Sequence, residues 1–300
     1  MTIKHRITPY VFLLPGLVFL AIWLVYPMGH SLWISLHDWK INPDEISPFV
    51  GLGNYVDTFT DSQFWRALKN TSMFALVTTI GQLILGVLVA LMLNRIARGK
   101  VFFRVAYFLP VVTSWVVVSL IFRFLFNSDP SGMVNYLLVH GIKVLHSPIS
   151  WLNNAETAWA AIYSLGIWKG IGFAMVILLA ALQTFPEECY AAAAIDGASE
   201  WQSLRYITLP LLLPTIILVM VMLTIGAFQV YIPIALITNG GPLHRTEVVL
   251  SYMYDLAFHD LHYGSATAVS FVLAAIVFVI SQAQLRLKRL SYTESVEGGA

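Results

Sequence analysis

Apolar residues in this chain run in long blocks free of Asp, Glu, Lys and Arg. Such blocks cover residues 7–36, 71–94, 105–122, 170–186, 206–244 and 261–285. A helix needs roughly 18–20 consecutive apolar residues to cross a bilayer. The pattern therefore predicts helices over 9–36, 69–94, 103–126, 157–184, 210–238 and 262–285. That is an all-α integral membrane protein with six transmembrane helices in a single domain over residues 1–300. Prolines mark three of these helices: Pro15 and Pro27 in the first, Pro110 in the third, and Pro210, Pro214 and Pro233 in the fifth. Each predicts a kink or break. In lipid, a break survives only where neighbouring helices or water take up the freed carbonyls. The first run has no small-residue cleavage site and exceeds a signal core in length, so it is expected to be retained as a helix.

Composition agrees. The chain is 58% hydrophobic and 11% charged, against roughly a quarter charged in soluble domains. The net charge of +1 implies no nucleic-acid partner. Cys189 stands alone, which excludes an internal disulfide and a four-cysteine metal site. The polar tail over 291–300 reads as loose.

Six spans put both termini on one side of the membrane, and the basic residues choose the side. One set of loops holds Lys4, Arg6, Arg95, Arg98, Lys100, Arg104, Arg205, Arg286, Lys288 and Arg289; the other holds Lys40, Arg66, Lys69, Lys143 and Arg245. Positive residues favour the cytoplasm, so both termini are expected inside, with 37–68, 127–156 and 239–261 outside. The stretch from 186 to about 209 is then cytoplasmic.

That stretch begins "PEECYAAAAIDGASEWQSLRYITLP". Pro186 suits a first helical position, and Glu187 and Glu188 complement the positive end of a helix dipole. A short helix of small residues over 189–194 should stop at Asp196-Gly197, where glycine supplies left-handed geometry. Ser199 with Gln202 fits a capping box and restarts a helix over 200–208. Pro210 and Pro214 should bend that helix into the fifth span. Two short helices joined by a tight turn form either a docking surface or an interfacial helix pair.

At these residues the chain resembles the permeases of binding-protein-dependent ABC importers, whose "EAA" loop fits a groove of an ATPase subunit. Ala192, Ala193, Asp196, Gly197, Ala198, Ile207, Leu209 and Pro210 match that loop. The family's glutamate falls on Ala191, and Glu187 or Glu188, one turn upstream, could replace it. "FLLPGLVFLAIWLVYPMGHSLWISLHDW", "FVGLGNY" and "ITNGGPLHRTEVVLSYMYDLAF" resemble further segments of sugar-type importer permeases, the kind encoded first in a permease pair. The resemblance implies a type I ABC importer permease fold in a bacterial or archaeal cytoplasmic membrane. It also implies a second permease, two ATPase subunits carrying ATP and Mg, an external solute-binding protein and a carbohydrate substrate. This chain itself would bind no cofactor and catalyse no reaction. Consistent with that, it has no G-x-x-x-x-G-K-[ST], so ATP hydrolysis of the P-loop kind would lie on another chain.

Inside the spans, Lys169 interrupts the fourth helix, flanked by Gly166, Gly170 and Gly172. A mid-membrane lysine costs about 2.5–3.5 kcal/mol on insertion scales, so it should face protein or water. It either lines the pathway or pairs across a subunit interface, or it snorkels or bonds to a carbonyl. Gln229 and Tyr231 from the fifth span, with Trp115 and Asn127 from the third, offer the polar groups and aromatic faces a sugar needs. Helix–helix hydrogen bonding is the alternative for each. His259, Asp260 and His262 begin an apolar run without a fourth ligand and read as a wet helix end rather than a metal site. Asn70-Thr71-Ser72 fits a glycosylation sequon but sits at a span edge, and in a bacterial setting it reads as chance. The competing class, an ion-coupled secondary transporter, would need intramembrane carboxylates, and no span contains Asp or Glu.

Overall fold

The computed structural model describes residues 3–42, 44–96, 98–129 and 132–297. Among these residues the chain is helical apart from loops and an isolated antiparallel bridge between His37 and Phe49. In order, the helices are α1 (Ile3–Leu20), α2 (Tyr26–Ser35), α3 (Gly53–Thr60), α4 (Ser62–Arg95), α5 (Lys100–Val112), α6 (Trp115–Leu125), α7 (Met133–Tyr136), α8 (Ala155–Leu182), α9 (Glu187–Ile195), α10 (Glu200–Ser203), α11 (Leu209–Phe228), α12 (Ile232–Ile237), α13 (Val249–Phe258) and α14 (Tyr263–Glu297). Single π-helical turns join α1 to α2 and α10 to α11.

Among the described residues, five stretches are long and apolar enough to cross a membrane: Phe12–Ser35, Ser62–Arg95, Ala155–Leu182, Glu200–Phe228 and Tyr263–Arg286. The sixth, expected as one helix over 103–126, is instead two helices, α5 and α6, set 94° apart. Thr113 and Ser114 take extended backbone angles between them. Pro110 has no N–H to give, and the Ser114 side chain accepts from Val116 N to start the new helix. The fifth span also stops early. It ends at Phe228 rather than near 238, and a separate short helix, α12, begins with Pro233 in its first turn. The tail expected to be loose over 291–300 is helical through Glu297.

The chain forms two compact units, Met1–Trp65 with Tyr252–Ala275, and Arg66–Ser251 with Ile276–Ala300. In the first unit, the loop after α2 is held by Asn54. Its buried amide donates to the carbonyls of Ser35 and His37, at 2.8 and 3.0 Å. Gly264 lets this knot close, since a Cβ there would run into the His37 carbonyl. Tyr252 adds a hydroxyl bond to Asp61 at 2.5 Å.

The second unit holds a core of leucines and small residues on α4, α8 and α11, including Leu83, Ala90, Met175, Leu178, Leu212 and Val219. Small residues let the backbones approach, as expected where lipid supplies no hydrophobic drive between helices. A Cβ on Gly172 of α8 would overlap the Tyr107 carbonyl of α5. Gly170 makes room for Gln82 of α4, whose amide donates to the Gly166 carbonyl at 2.8 Å. Asn70, the residue of the sequon, donates to the carbonyls of Arg245 and Glu247 at 3.1 and 2.8 Å.

Candidate functional site

The loop between the fourth and fifth spans folds through local hydrogen bonds. Pro186 stands just outside α9 as its N-cap, one position earlier than expected, and α9 runs longer than the small-residue core. Its end is a Schellman motif. Ala198 N donates to Ala193 O at 2.9 Å and Gly197 N to Ala194 O at 3.2 Å. Gly197 takes φ +75°, the left-handed geometry that motif needs. Ser199 then caps α10 reciprocally. Its amide donates to Gln202 Oε1 at 2.7 Å, and its hydroxyl accepts from Gln202 N at 3.3 Å.

Where prolines 210 and 214 were expected to bend the chain, Glu200–Phe228 forms one helical stretch. The π-helical turn at Leu204–Thr208 ends two residues before Pro210, so the turn behind the proline ring is widened. Two contacts anchor the loop. Tyr190 Oη lies 3.1 Å from Thr208 Oγ1, and Arg95 Nη1 is 2.8 Å from Glu200 Oε2.

Glu187, Glu188, Ala191, Ala192, Asp196, Gly197 and Pro210 are exposed, while Ala193, Ala198 and Ile207 are half-buried. The same loop also presents Ile195, Trp201 and Tyr206 at 87%, 66% and 70% exposure. Sequence reasoning missed these three. Their signal was available as large apolar side chains in an otherwise small and polar stretch.

The second candidate region is a cavity of about 550 Å³ in the second unit, within the range of small-molecule sites. It gathers Trp115, Lys169, Gln229 and Tyr231, four of the five side chains expected along a pathway. Gln229 is the C-cap of α11 and Tyr231 the N-cap of α12, so the early end of the fifth span is what delivers them. Thr78 and Gln82 of α4 also line the wall. They were not singled out from sequence, because a Thr or Gln within an apolar run carries no sign of which way it faces. Asn127 lies elsewhere. It lines a separate cavity with Arg123, Asn153 and Thr238, and its amide donates to Asp129 at 3.0 Å.

Lys169 is the lining residue that carries a charge. Its ammonium donates to the carbonyls of Pro110 and Thr113, each at 2.7 Å, and of Val111 at 3.3 Å. It also lies 4.8 Å from the Trp115 ring centroid, a cation–π distance. Lys169 thus bonds to carbonyls, one of the arrangements open to the sequence, while also lining the cavity. Near the start of the last span, His259 Nε2 sits 3.8 Å from Asp255, and among the described residues no three His, Cys, Asp or Glu side chains are grouped to hold a metal ion.

Residues 82–290 match the family described as binding-protein-dependent transport system inner membrane component. The chain belongs to that family. Its similarity to individual members runs nearly end to end. It is 33% identical to the multiple sugar-binding transport system permease protein of Streptococcus mutans, covering 96% of this chain and 99% of that one. It is 31% identical to the trehalose/maltose transport system permease protein of Thermococcus litoralis, covering 93% of each. Among solved structures, it matches a bacterial alginate ABC transporter in complex with an alginate pentasaccharide-bound periplasmic protein. There the TM-score is 0.80 at 28% identity, over 96% of both chains. This family member is a transport protein of the inner membrane, and the loop and cavity are parts of a permease.

Proposed function

We propose that this chain is the permease subunit of an ATP-driven importer that moves a sugar or sugar derivative across the cytoplasmic membrane by alternating access. An external binding protein delivers the solute. The observation that carries the reading is the cavity bearing Trp115, Gln229, Tyr231, Thr78 and Gln82. Aromatic faces beside amide and hydroxyl groups suit the two sides of a sugar ring, apolar C–H faces and equatorial hydroxyls. The names of the relatives, for multiple sugars, trehalose/maltose and alginate, support the same substrate class.

In this reading the chain acts as one permease domain and pairs with a second, similar permease. Two ATPase subunits hold ATP and Mg, and this chain binds no cofactor. The 186–210 loop sits in a groove of the ATPase. Ala191, Ala192, Ala193 and Ala198 allow close approach, Glu187 and Glu188 offer acceptors, and Asp196, Gly197, Ile207 and Pro210 set its shape. Exposed Ile195, Trp201 and Tyr206 give the partner apolar surface to cover, which the cytoplasm would not otherwise favour. Closure of the ATPases around ATP moves the loop, and the helices that surround the cavity reopen outward. Both termini and the loop lie in the cytoplasm, as the basic residues direct.

The test is uptake into proteoliposomes that hold the permease pair, the ATPase and the binding protein. Uptake of labelled sugar should require internal ATP and the binding protein. Uptake driven by a proton or sodium gradient without ATP would favour the ion-coupled alternative and end this reading.

A further inference from the structure

Lys169 stands midway along α8 and is only 4% exposed. The carbonyls it meets are those that the break in the third span sets free. A helix end leaves its last turn of carbonyls without intrahelical partners, and hydrocarbon offers no water to replace them. At the end of α5 this applies to Pro110 and Val111, and the extended Thr113 adds a third. An ammonium has three N–H donors and no acceptor. All three donors find carbonyls here, and Thr113 Oγ1 adds a further bond to Pro110 O at 2.6 Å. The need is mutual, because a cation at this depth is tolerated only with partners.

Two consequences follow from this arrangement. With its three donors committed to backbone, Lys169 has none left for a solute. Beside it on the cavity wall stands Trp115, the first residue of α6, which is 38% exposed and has the ammonium near its ring. We infer that Lys169 is a positioning residue of the transport pathway: its ammonium caps the C-terminal end of α5 inside the membrane, holds the third span bent, and fixes Trp115 at the cavity wall. The inference rests on the reading that this cavity carries the solute, but its central claim, the bend, is measurable without transport.

The experiment uses the assembled complex in a Cys189→Ala background, with spin labels at Val105 on α5 and Phe124 on α6, both exposed. At 1.5 Å rise per residue, the labelled backbones are roughly 20 Å apart across a right-angle bend and nearly 30 Å apart in a straight helix. The complex with Lys169 and the Lys169→Arg variant should give the short distance. Lys169→Met should give the long one, with uptake falling several-fold for neutral and acidic sugars alike. A short distance in Lys169→Met overturns the inference, as does a change in preference between neutral and acidic sugars, which would make the ammonium a solute ligand. If Lys169→Met fails to assemble, Lys169→Arg decides. A bent, transporting Arg variant supports the cap, whereas an opened bend, or failure of both variants to assemble, overturns it. Loss of ATP-driven uptake in the parent complex would count against the proposed function and leave the distances unaffected.

Discussion

The hydroxyl of Tyr190 on α9 lies 3.1 Å from that of Thr208, the last residue before α11. This contact spans the whole loop and ties its first helix to the entrance of the fifth span. Thr208 is buried and Tyr190 half-buried, so the bond is shielded from water. A neutral hydrogen bond of this kind contributes about 0.5–1.5 kcal/mol. Tyr190→Phe should therefore leave the ATPase bound but loosen the link between loop and span. The expected result is a lower ratio of sugar transported to ATP hydrolysed in proteoliposomes. An unchanged ratio would show that Tyr190 takes no part in coupling.

Gly197 offers a clean backbone test. Its φ is +75°, and a Cβ built there meets nothing within 4 Å. The cost of a side chain is then conformational rather than steric, about 1–2 kcal/mol for a β-branched residue in the left-handed region. Gly197→Val should insert normally yet lose co-purification of the ATPase, and uptake with it. Gly197→Asn, which tolerates this geometry, should retain both. Full uptake by the Val variant with the ATPase still bound would show that the loop is not the coupling element.

The resemblance implies that Ala191, which is exposed, stands where the family has its glutamate. Ala191→Glu adds an acceptor without displacing any packed atom. Association with the ATPase, measured by its dissociation rate from immobilised permease, should be unchanged or slower. Faster dissociation would mean that this loop meets its partner in a different register.

Two glycines predict opposite outcomes for thermal unfolding in detergent. At Gly172 a Cβ would collide with the Tyr107 carbonyl, and backbone cannot rotate away. Gly172→Ala should destabilise by about 1–3 kcal/mol, the usual cost of overpacking. At Gly226 a Cβ meets nothing within 4 Å. Gly226→Ala should be neutral or should stabilise by up to about 1 kcal/mol through helix propensity. Equal melting temperatures for the two variants would contradict the close approach of α5 to α8.

Cys189 reports topology, being a single, exposed cysteine. An impermeant maleimide should label it in inside-out vesicles and not in intact cells, and bound ATPase should slow the reaction. In a Cys189→Ala background, cysteine at Ile142, which is 68% exposed, should label from outside. Ser131, a second position for an outside label, lies outside the described residues. The reverse pattern would place both termini outside.

What the sequence determined by itself is the part of this protein that short-range physics controls. Lipid forces backbone groups to pair within each crossing segment, so charge-free runs are expected as helices; those over 71–94 and 261–285 lie largely within single helices, whereas the runs over 105–122 and 206–244 are broken. The 186–210 loop was legible for a related reason. Its Schellman motif and capping box close within five residues, and Gly197, Ser199 and Gln202 carry the geometry in their own chemistry. Tertiary structure decided where those rules left a choice. Pro110 permits a break in the third span, but permission is not an angle. The freed carbonyls meet an ammonium 59 residues further on, and no periodicity encodes that meeting. The same holds for the wall of the cavity. Trp115, Gln229 and Tyr231 converge with Gln82 because the third span bends, the fifth ends early and α8 offers glycines to its neighbours, while Asn127, just beyond α6, is carried to another pocket. Side-chain type can be read from a sequence. Which groups share a space depends on helix breaks and close approaches between segments far apart in the chain.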